Sequence, residues 1–386
     1  MNVLIIHQST EMYGSDKSIL GLIKYGLSSD DISFLVYLPD SIGPLYAELM
    51  KLNEIYPARL EINVAPVVKI SKSIISIKGL SSFLFENVKG VYFLFKNRNR
   101  LANIDLVHSN TVAVLLGFWL KLFFRKKHIW NVREIIDSPK LLSVFFQKLV
   151  KTTSDLVISN SYQTNEWIRG NNDSSAYTYV DNGVEAIDSK NTSLPESFNS
   201  FIEINNNPTI ITLVGRISRW KGQKAATQAL VQLRNKGINA VLVLVGDCHN
   251  SSLELLDELK EHILRENLTE QVYFSGYIAD PAPFYNISDI ILVPSEKPEP
   301  FGRVAVEAMS CSKLVIASNH GGLASIIDND ENGILFEPNP DLIYEDIRKS
   351  NAVAFLTEPE KFLDKIAERE NKKESKKVSF WSKIKA

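Results

Sequence analysis

Two α/β domains, each built on a parallel sheet, are what this sequence predicts, and three observations carry the prediction. Short apolar runs alternate with amphipathic helical stretches, and they do so twice along the chain. A polar, Asn/Ser-rich stretch, "AIDSKNTSLPESFNSFIEINNNP" (186–208), separates the two series and reads as a linker. The chain has 386 residues, 45% hydrophobic and 23% charged, which suits two globular domains of ordinary size.

The first series opens with "NVLIIH", a short apolar run and a candidate strand. "SDKSILGLIKYGL" follows with helical spacing at Ile19, Leu20, Ile23 and Leu27. "SFLVYLP", "IDLVHSN", "HIWNVRE" and "DLVISNS" are further strands, the last leading into a helix near Tyr162. The second series runs through strands in "TIITLVGRIS", "AVLVLVGD", "VYFSGYI", "DIILVPS", "LVIASNHGG" and "GILFEP". Helices are expected over "GQKAATQALVQLRNKG" and "SLELLDELKEHILREN" between them. This gives a first domain over 1–190, a second over 191–357, and a C-terminal helix with a Lys-rich tail over 358–386. In parallel sheets of this kind ligands gather at the carboxyl ends of the strands, so the loops that follow strands matter most.

Composition narrows the function. Cys248 and Cys311 are the chain's two cysteines and form no CxxC, which argues against a disulfide framework or a thiolate metal site and fits a reducing cytoplasm. The histidines form no close ligand pair, so no metal site is expected. "MNVLIIHQST" has no basic region before its apolar run and no small-residue cleavage site after it; it reads as a buried strand. The apolar stretch 112–124 is shorter than the roughly 20 residues a spanning helix needs, so a soluble or surface-lying protein is expected. The formal charge of −2 hides an asymmetry: residues 69–151 hold 15 Lys/Arg against 4 Asp/Glu, or +11, leaving −13 for the rest. "FLFENVKGVYFLFKNRNR", "FWLKLFFRKKHIW" and "VFFQKLVK" interleave that charge with aromatics. Such a belt suits an anionic membrane surface, with Lys126 and Lys127 among its cations, or else amphipathic packing helices with solvated basic faces; no nucleic-acid motif accompanies it.

The loops give the chemistry. A dinucleotide fold would show G-x-G-x-x-G after the first strand, but "HQSTEMYGSDKS" has a single Gly14, and no P-loop occurs. "LVGRISRWKGQ" puts Arg216 just past a strand and Lys221 five residues on, where two cations fit a diphosphate or merely a solvated loop. In "EPFGRVAVE" the prolines at 298 and 300 keep Glu299 on a loop, and "RVAVEAMS" opens a helix carrying Glu307. A helix N-terminus offers free N–H groups to phosphate, and the two carboxylates then accept from sugar hydroxyls on either side. Glu307 suits a ribose and Glu299 a second sugar. "DND" (328–330) reads as a turn before "ENGILF", not as a metal-binding motif.

"EPFGRVAVE" resembles the E-x7-E motif of the retaining glycosyltransferases of family 4, which have the GT-B fold of two Rossmann-like domains facing a cleft. "LVGRISRWKG", "LVGD", "FSGYIADPAPFYNISDIILVPS", "EPFGRVAVEAMSC", "VIASNHGG" and "NGILFEP" follow the family order in the second domain. "GSDKS", "DLVHSN", "VISNSYQT" and "YVDNGVE" match more loosely in the first. The resemblance implies a nucleotide-sugar donor, with Arg216 and Lys221 on its diphosphate, Glu307 on the ribose and Glu299 on the transferred sugar. It implies that the backbone of Phe301, Gly302 and Arg303 faces the distal phosphate, that Gly14 and Ser15 close over the diphosphate, and that the loop at Ile278 touches the base. It further implies retention of anomeric configuration without a protein nucleophile, no metal or other cofactor, and a glycan or lipid-linked acceptor on the first-domain side, as in bacterial surface polysaccharide synthesis at the inner face of the membrane. Two departures stand out. "NVREI" puts Arg133 and Glu134 where the family often has a histidine, so no catalytic histidine is assigned and Arg133 is expected near the diphosphate; "GGLASII" lacks the usual Pro-Glu after the glycines. A sugar-nucleotide 2-epimerase of the same fold and a non-catalytic sugar-nucleotide-binding protein are the competing readings.

Overall fold

The computed structural model describes residues 1–68, 77–136, 139–170, 174, 176–184, 187, 193–248, 253–329 and 331–337. The expected C-terminal helix and tail over 358–386 lie outside these residues, as does Asp330 of the "DND" turn. The chain divides into two compact units, one over Met1–Gly183 and one from Val184 onward.

The first unit is a parallel sheet of β1 (Asn2–Ile6), β2 (Ser33–Leu38), β3 (Leu60–Val64), β4 (Leu106–Asn110), β5 (Lys127–Val132), β6 (Leu156–Ser159) and β7 (Tyr177–Tyr179), in the order β3-β2-β1-β4-β5-β6-β7. Its helices are α1 (Gly14–Leu27), α2 (Pro44–Ile55), α3 (Ile77–Lys96), α4 (Arg98–Ala102), α5 (Leu116–Phe124), α6 (Lys140–Thr153) and α7 (Tyr162–Arg169). The spacing read from the sequence is visible in α1, where Ile19, Leu20, Ile23 and Leu27 are the buried apolar side chains. Helix α7 begins at Tyr162 as expected because the Ser161 hydroxyl accepts from the Thr164 N–H at 3.1 Å and caps its first turn.

The second unit begins with α8 (Glu196–Ile204) and holds the parallel strands β8 (Thr209–Val214), β9 (Ala240–Val245), β10 (Val272–Gly276), β11 (Ile290–Val293), β12 (Leu314–Ser318) and β13 (Ile334–Phe336), in the order β10-β9-β8-β11-β12-β13. Between them run α9 (Gln223–Asn235), α10 (Leu253–Arg265), α11 (Ala282–Ile287), α12 (Arg303–Ser310) and α13 (Leu323–Ile326). Strands β9, β11 and β12 are buried at every position, which is why they read as unbroken apolar runs instead of alternating ones. Helix α9 turns Ala225, Ala226, Ala229, Leu230 and Leu233 into the core beneath the sheet.

Two expectations need correction. The 186–208 stretch is not all linker: Glu196–Ile204 folds as α8, anchored by Phe198, whose ring lies 5.1 Å from Tyr273 and 5.5 Å from Phe284. Three aromatic anchors far apart in sequence stabilise a segment whose own composition is loop-like. Lys126 is also not a free surface cation, since its Nζ donates to the Ala102 and Ile104 carbonyls at 2.9 and 2.8 Å. It ties the C-terminal end of α4 to β5.

Both sheets reverse strand order once, the first between β1 and β4 and the second between β8 and β11. A doubly wound sheet opens a crevice at that point, beyond the carboxyl ends of the strands.

Candidate functional site

In the second unit, the β8–α9 loop carries Arg216 and Lys221, and the β11–α12 loop carries Glu299. These loops leave the two strands that flank the switch point, so residues about 80 positions apart meet there.

Lys221 Nζ donates to Glu299 Oε1 at 2.6 Å, with both side chains largely shielded from solvent. The same oxygen accepts from Ser295 Oγ at 2.5 Å. His320 lies on the other side of Ser295, its Nε2 2.8 Å from the Ser295 carbonyl. Burial alone pushes the Glu299 carboxyl up; the Lys221 ammonium and the two hydrogen bonds outweigh it and hold the group below the ordinary carboxylate value. Glu299 is thus an ionised, oriented acceptor.

The backbone is built to bring these groups close. Gly222, the N-cap of α9, has φ +77°, and a Cβ there would sit 1.9 Å from the Pro294 carbonyl oxygen. Only glycine lets the Lys221 turn press against the end of β11. The Glu296 N–H donates to the Trp220 carbonyl at 2.7 Å, which joins the two loops directly. Gly302, the N-cap of α12, has φ +98°, and a Cβ there would meet Leu323 at 2.6 Å. The Glu299 carbonyl accepts from the Gly322 N–H at 2.6 Å, so the "HGG" turn braces the acidic loop even without the usual Pro-Glu.

Glu307 lies one turn into α12 with both oxygens engaged. Arg303 Nη2 donates to Oε1 at 3.0 Å and Tyr285 Oη donates to Oε2 at 2.8 Å. Burial and the Glu307 charge raise the Tyr285 phenol well above its usual pKa, so it remains a donor. The Arg303 side chain is turned back along its own helix, while its backbone opens α12 beside Phe301 and Gly302. Arg216 directly follows Gly215 at the end of β8, and its carbonyl accepts from Gln223 Nε2 at 3.0 Å. Ile278 follows β10 and packs on the cluster of Phe198, Val243, Val245 and Phe284.

The remaining expected residues belong to the first unit. Gly14 and Ser15 form the first turn of α1, directly after the loop that leaves β1. That turn is fixed by a buried cluster invisible to motif reading: Asp16 accepts from the Tyr13 N–H at 3.0 Å and bonds His7 Nε2 at 2.7 Å, and Asn110 Nδ2 lies 2.9 Å from His7 Nδ1. Arg133 directly follows β5 and donates to Asn182 Oδ1 at 2.9 Å, and Asn182 also accepts from Ser18 on α1 at 3.4 Å. Glu134 points its carboxylate at the Val112 and Arg133 N–H groups, each at 3.2 Å, and burial raises its pKa. It braces the turn at Thr111, whose φ of +84° is strained for a β-branched residue.

Sequence reading missed Ser295, Tyr285 and His320, whose roles come from contacts and not from spacing. It also missed that His108 on β4 lies near His128 on β5 and near His7, which directly follows β1. His108 and His128 are pushed down to about 4, chiefly by burial, so they are neutral. His128 is held between Ser109 Oγ and the Thr153 carbonyl at 2.8 and 2.6 Å. Among the described residues no group of three or more His, Cys, Asp or Glu has a metal-holding arrangement.

Residues 196–369 match the family model described as Glycosyl transferases group 1, a stretch that includes every element from α8 to β13. The chain is 36% identical over 157 residues to the lipopolysaccharide 1,2-N-acetylglucosaminetransferase of Salmonella typhimurium, covering 39% of this chain and 41% of that protein. It thus spans about two-fifths of that curated relative's length. It is 24% identical over 287 residues to the capsular polysaccharide biosynthesis glycosyltransferase CapM of Staphylococcus aureus, covering 71% and 72% of the two chains. The crystal structure of Anabaena HepE in complex with UDP and glucose matches with a TM-score of 0.67 at 22% identity, covering 96% of this chain and 99% of that one. The two parallel-sheet α/β units, of seven and six strands, are the fold of the GT-B glycosyltransferases.

Proposed function

We propose that the chain is a retaining glycosyltransferase of the family 4 type. It would move a sugar from a nucleotide-sugar donor to a glycan or lipid-linked acceptor in bacterial surface polysaccharide synthesis. The observation that carries the reading is the Lys221–Glu299 pair, closed at 2.6 Å between the two loops that leave the strands flanking the switch point, one loop carrying Arg216 and the other leading into α12. The match of residues 196–369 to the glycosyltransferase model supports it, as do relatives named for lipopolysaccharide and capsule synthesis.

In this reading Arg216 and Lys221 take the diphosphate, and the N–H groups at the start of α12, after Phe301 and Gly302, take its distal phosphate. As the glycosidic bond breaks, negative charge builds on the departing diphosphate. Fixed cations and N–H dipoles stabilise it without reorganisation, which is the part of catalysis that metals supply elsewhere. No metal is therefore proposed. Glu299 accepts from the transferred sugar. Its ion pair with Lys221 makes it a positioning group, because a carboxylate neutralised at 2.6 Å is a poor nucleophile. Glu307 accepts from the ribose hydroxyls, exchanging one of its present donors for them. A 2-epimerase would turn over its nucleotide sugar without any acceptor.

The test is a thermal-shift panel of UDP, GDP, dTDP, ADP and CMP in EDTA on wild type and Glu307→Ala. A ligand at 100 times its Kd adds about 2.7 kcal/mol, enough to raise Tm by several degrees. One nucleoside diphosphate stabilising wild type far more than the variant is expected. Equal shifts in both proteins, or a shift that appears only with divalent metal, would overturn the assignment.

A further inference from the structure

We infer that α3, α5 and α6 of the first unit form one docking face for an anionic lipid surface. The inference goes beyond sugar transfer and is tested without a donor, so either can fail alone.

Helix α3 has two apolar faces, and a helix packed on a sheet needs only one. Asn87, Gly90 and Leu94 face the protein. Phe85, Val88, Tyr92 and Phe95 recur every three or four residues on another side, where Phe85 is 67%, Val88 69% and Tyr92 68% exposed. Side chains this open are not core. Lys78, Lys89 and Lys96, spaced by 11 and 7 residues, form an exposed row along the edge of that stripe. An apolar stripe bordered by lysines is the layout of a helix lying in a bilayer interface, rings below the headgroups and ammonium groups among them.

The stripe continues onto the neighbouring helices. Phe95 lies 5.7 Å from Phe123 and 5.1 Å from Phe124 of α5, and Trp119 Nε1 on α5 donates to Asn87 Oδ1 of α3 at 2.9 Å. The two helices are thus locked side by side, with Leu122 and Phe123 exposed next to Phe95. Helix α6 packs against α5 and exposes Leu141 and Phe145, with Lys148 one turn beyond.

Charge selects the occupant. Some of the segment's cations serve the fold: Arg100 pairs with Glu61, Lys121 with Asp155 at 2.6 Å, and Lys126 with backbone carbonyls. Lys89, Lys96 and Lys148 make no ion pair among the described residues, and residues 69–151 carry +11 in a chain of net −2. A like-charged second copy would be repelled from such a face, and an uncharged membrane would not use it. An anionic bilayer matches both the rings and the lysines.

Cosedimentation of the full chain with phosphatidylcholine vesicles, with and without phosphatidylglycerol, tests this. Binding is expected only with phosphatidylglycerol and should weaken as salt rises. Lys89→Gln with Lys96→Gln should lower affinity by about tenfold or more, since each lysine near such a surface is worth about fivefold. Val88→Ser with Tyr92→Ser should lower it further at high salt, where rings carry more of the binding. Both variants alter exposed side chains, so melting should match wild type. Equal binding to both vesicle types, binding insensitive to the variants, or a concentration-dependent dimer abolished by Val88→Ser with Tyr92→Ser would overturn the proposal.

Discussion

Replacing Lys221 by Met probes the one contact on which the site depends most. In the native protein Lys221 Nζ lies 2.6 Å from Glu299 Oε1, and the Glu299 side chain is 8% exposed. At an effective dielectric near 20, the bare attraction at that distance is about 6 kcal/mol. Much of it offsets the desolvation of the two charges, so the pair itself contributes far less. Removing one partner is different, because it leaves a carboxylate buried against Ser295 alone, at a cost of about 3–5 kcal/mol. For a unit of this size that lowers Tm by roughly 6–20 °C. Two signatures separate this from a general packing defect. The Glu299 carboxyl should rise above its ordinary value, so the stability gap between the variant and wild type should narrow toward acid, whatever the histidines common to both proteins contribute. Lys221→Met combined with Glu299→Leu should then recover at least about 2 kcal/mol of the loss, as expected for contacting residues. Thermal unfolding of wild type, both single variants and the double variant across pH 4–8 provides the cycle. Strictly additive losses, or a gap between Lys221→Met and wild type that does not narrow toward acid, would refute the description of Glu299 as a carboxylate held ionised by Lys221.

Gly302→Ala should cost about 1–3 kcal/mol, since alanine would meet both the φ of +98° and Leu323 at 2.6 Å; thermal unfolding checks it. Stability should also fall as pH drops from about 6.5 toward 4. His108 and His128 have native pKa values near 4 against about 6.5 when unfolded, so the unfolded chain takes up protons that the native one refuses. The loss reaches about 3 kcal/mol per histidine at most, and His128→Gln should flatten that part of the melting profile.

Much of this was legible in the residues. Buried parallel strands such as "AVLVLV" announce themselves because both faces are covered, and the Gly and Pro around Glu299 mark a loop entering a helix. The acidic pair could be singled out because eight residues of fixed spacing and a helix start constrain its chemistry. What stayed hidden depends on contacts distant in sequence. Helix α8 exists because Phe198 finds Tyr273 and Phe284. Lys126 is structural because α4 ends beside it. Ser295 and His320 matter because β11 and β12 deliver them to one carboxylate, and Asp16 because β1 and β4 bring His7 and Asn110 beneath it. No local pattern encodes those meetings.

In the proposed reaction the site transfers a sugar with fixed protein charges in place of a metal. The direct measurement is release of nucleoside diphosphate from UDP-, GDP-, dTDP- and ADP-linked sugars in EDTA, with bacterial lipid extract as acceptor, by wild type and Glu299→Gln. Wild type should release one nucleotide and carry its sugar into the lipid fraction, and Glu299→Gln should do so about 100-fold more slowly, the loss typical of removing one preorganised polar contact. Equal turnover by the variant, or turnover that strictly requires Mn²⁺ or Mg²⁺, would contradict the proposed reaction.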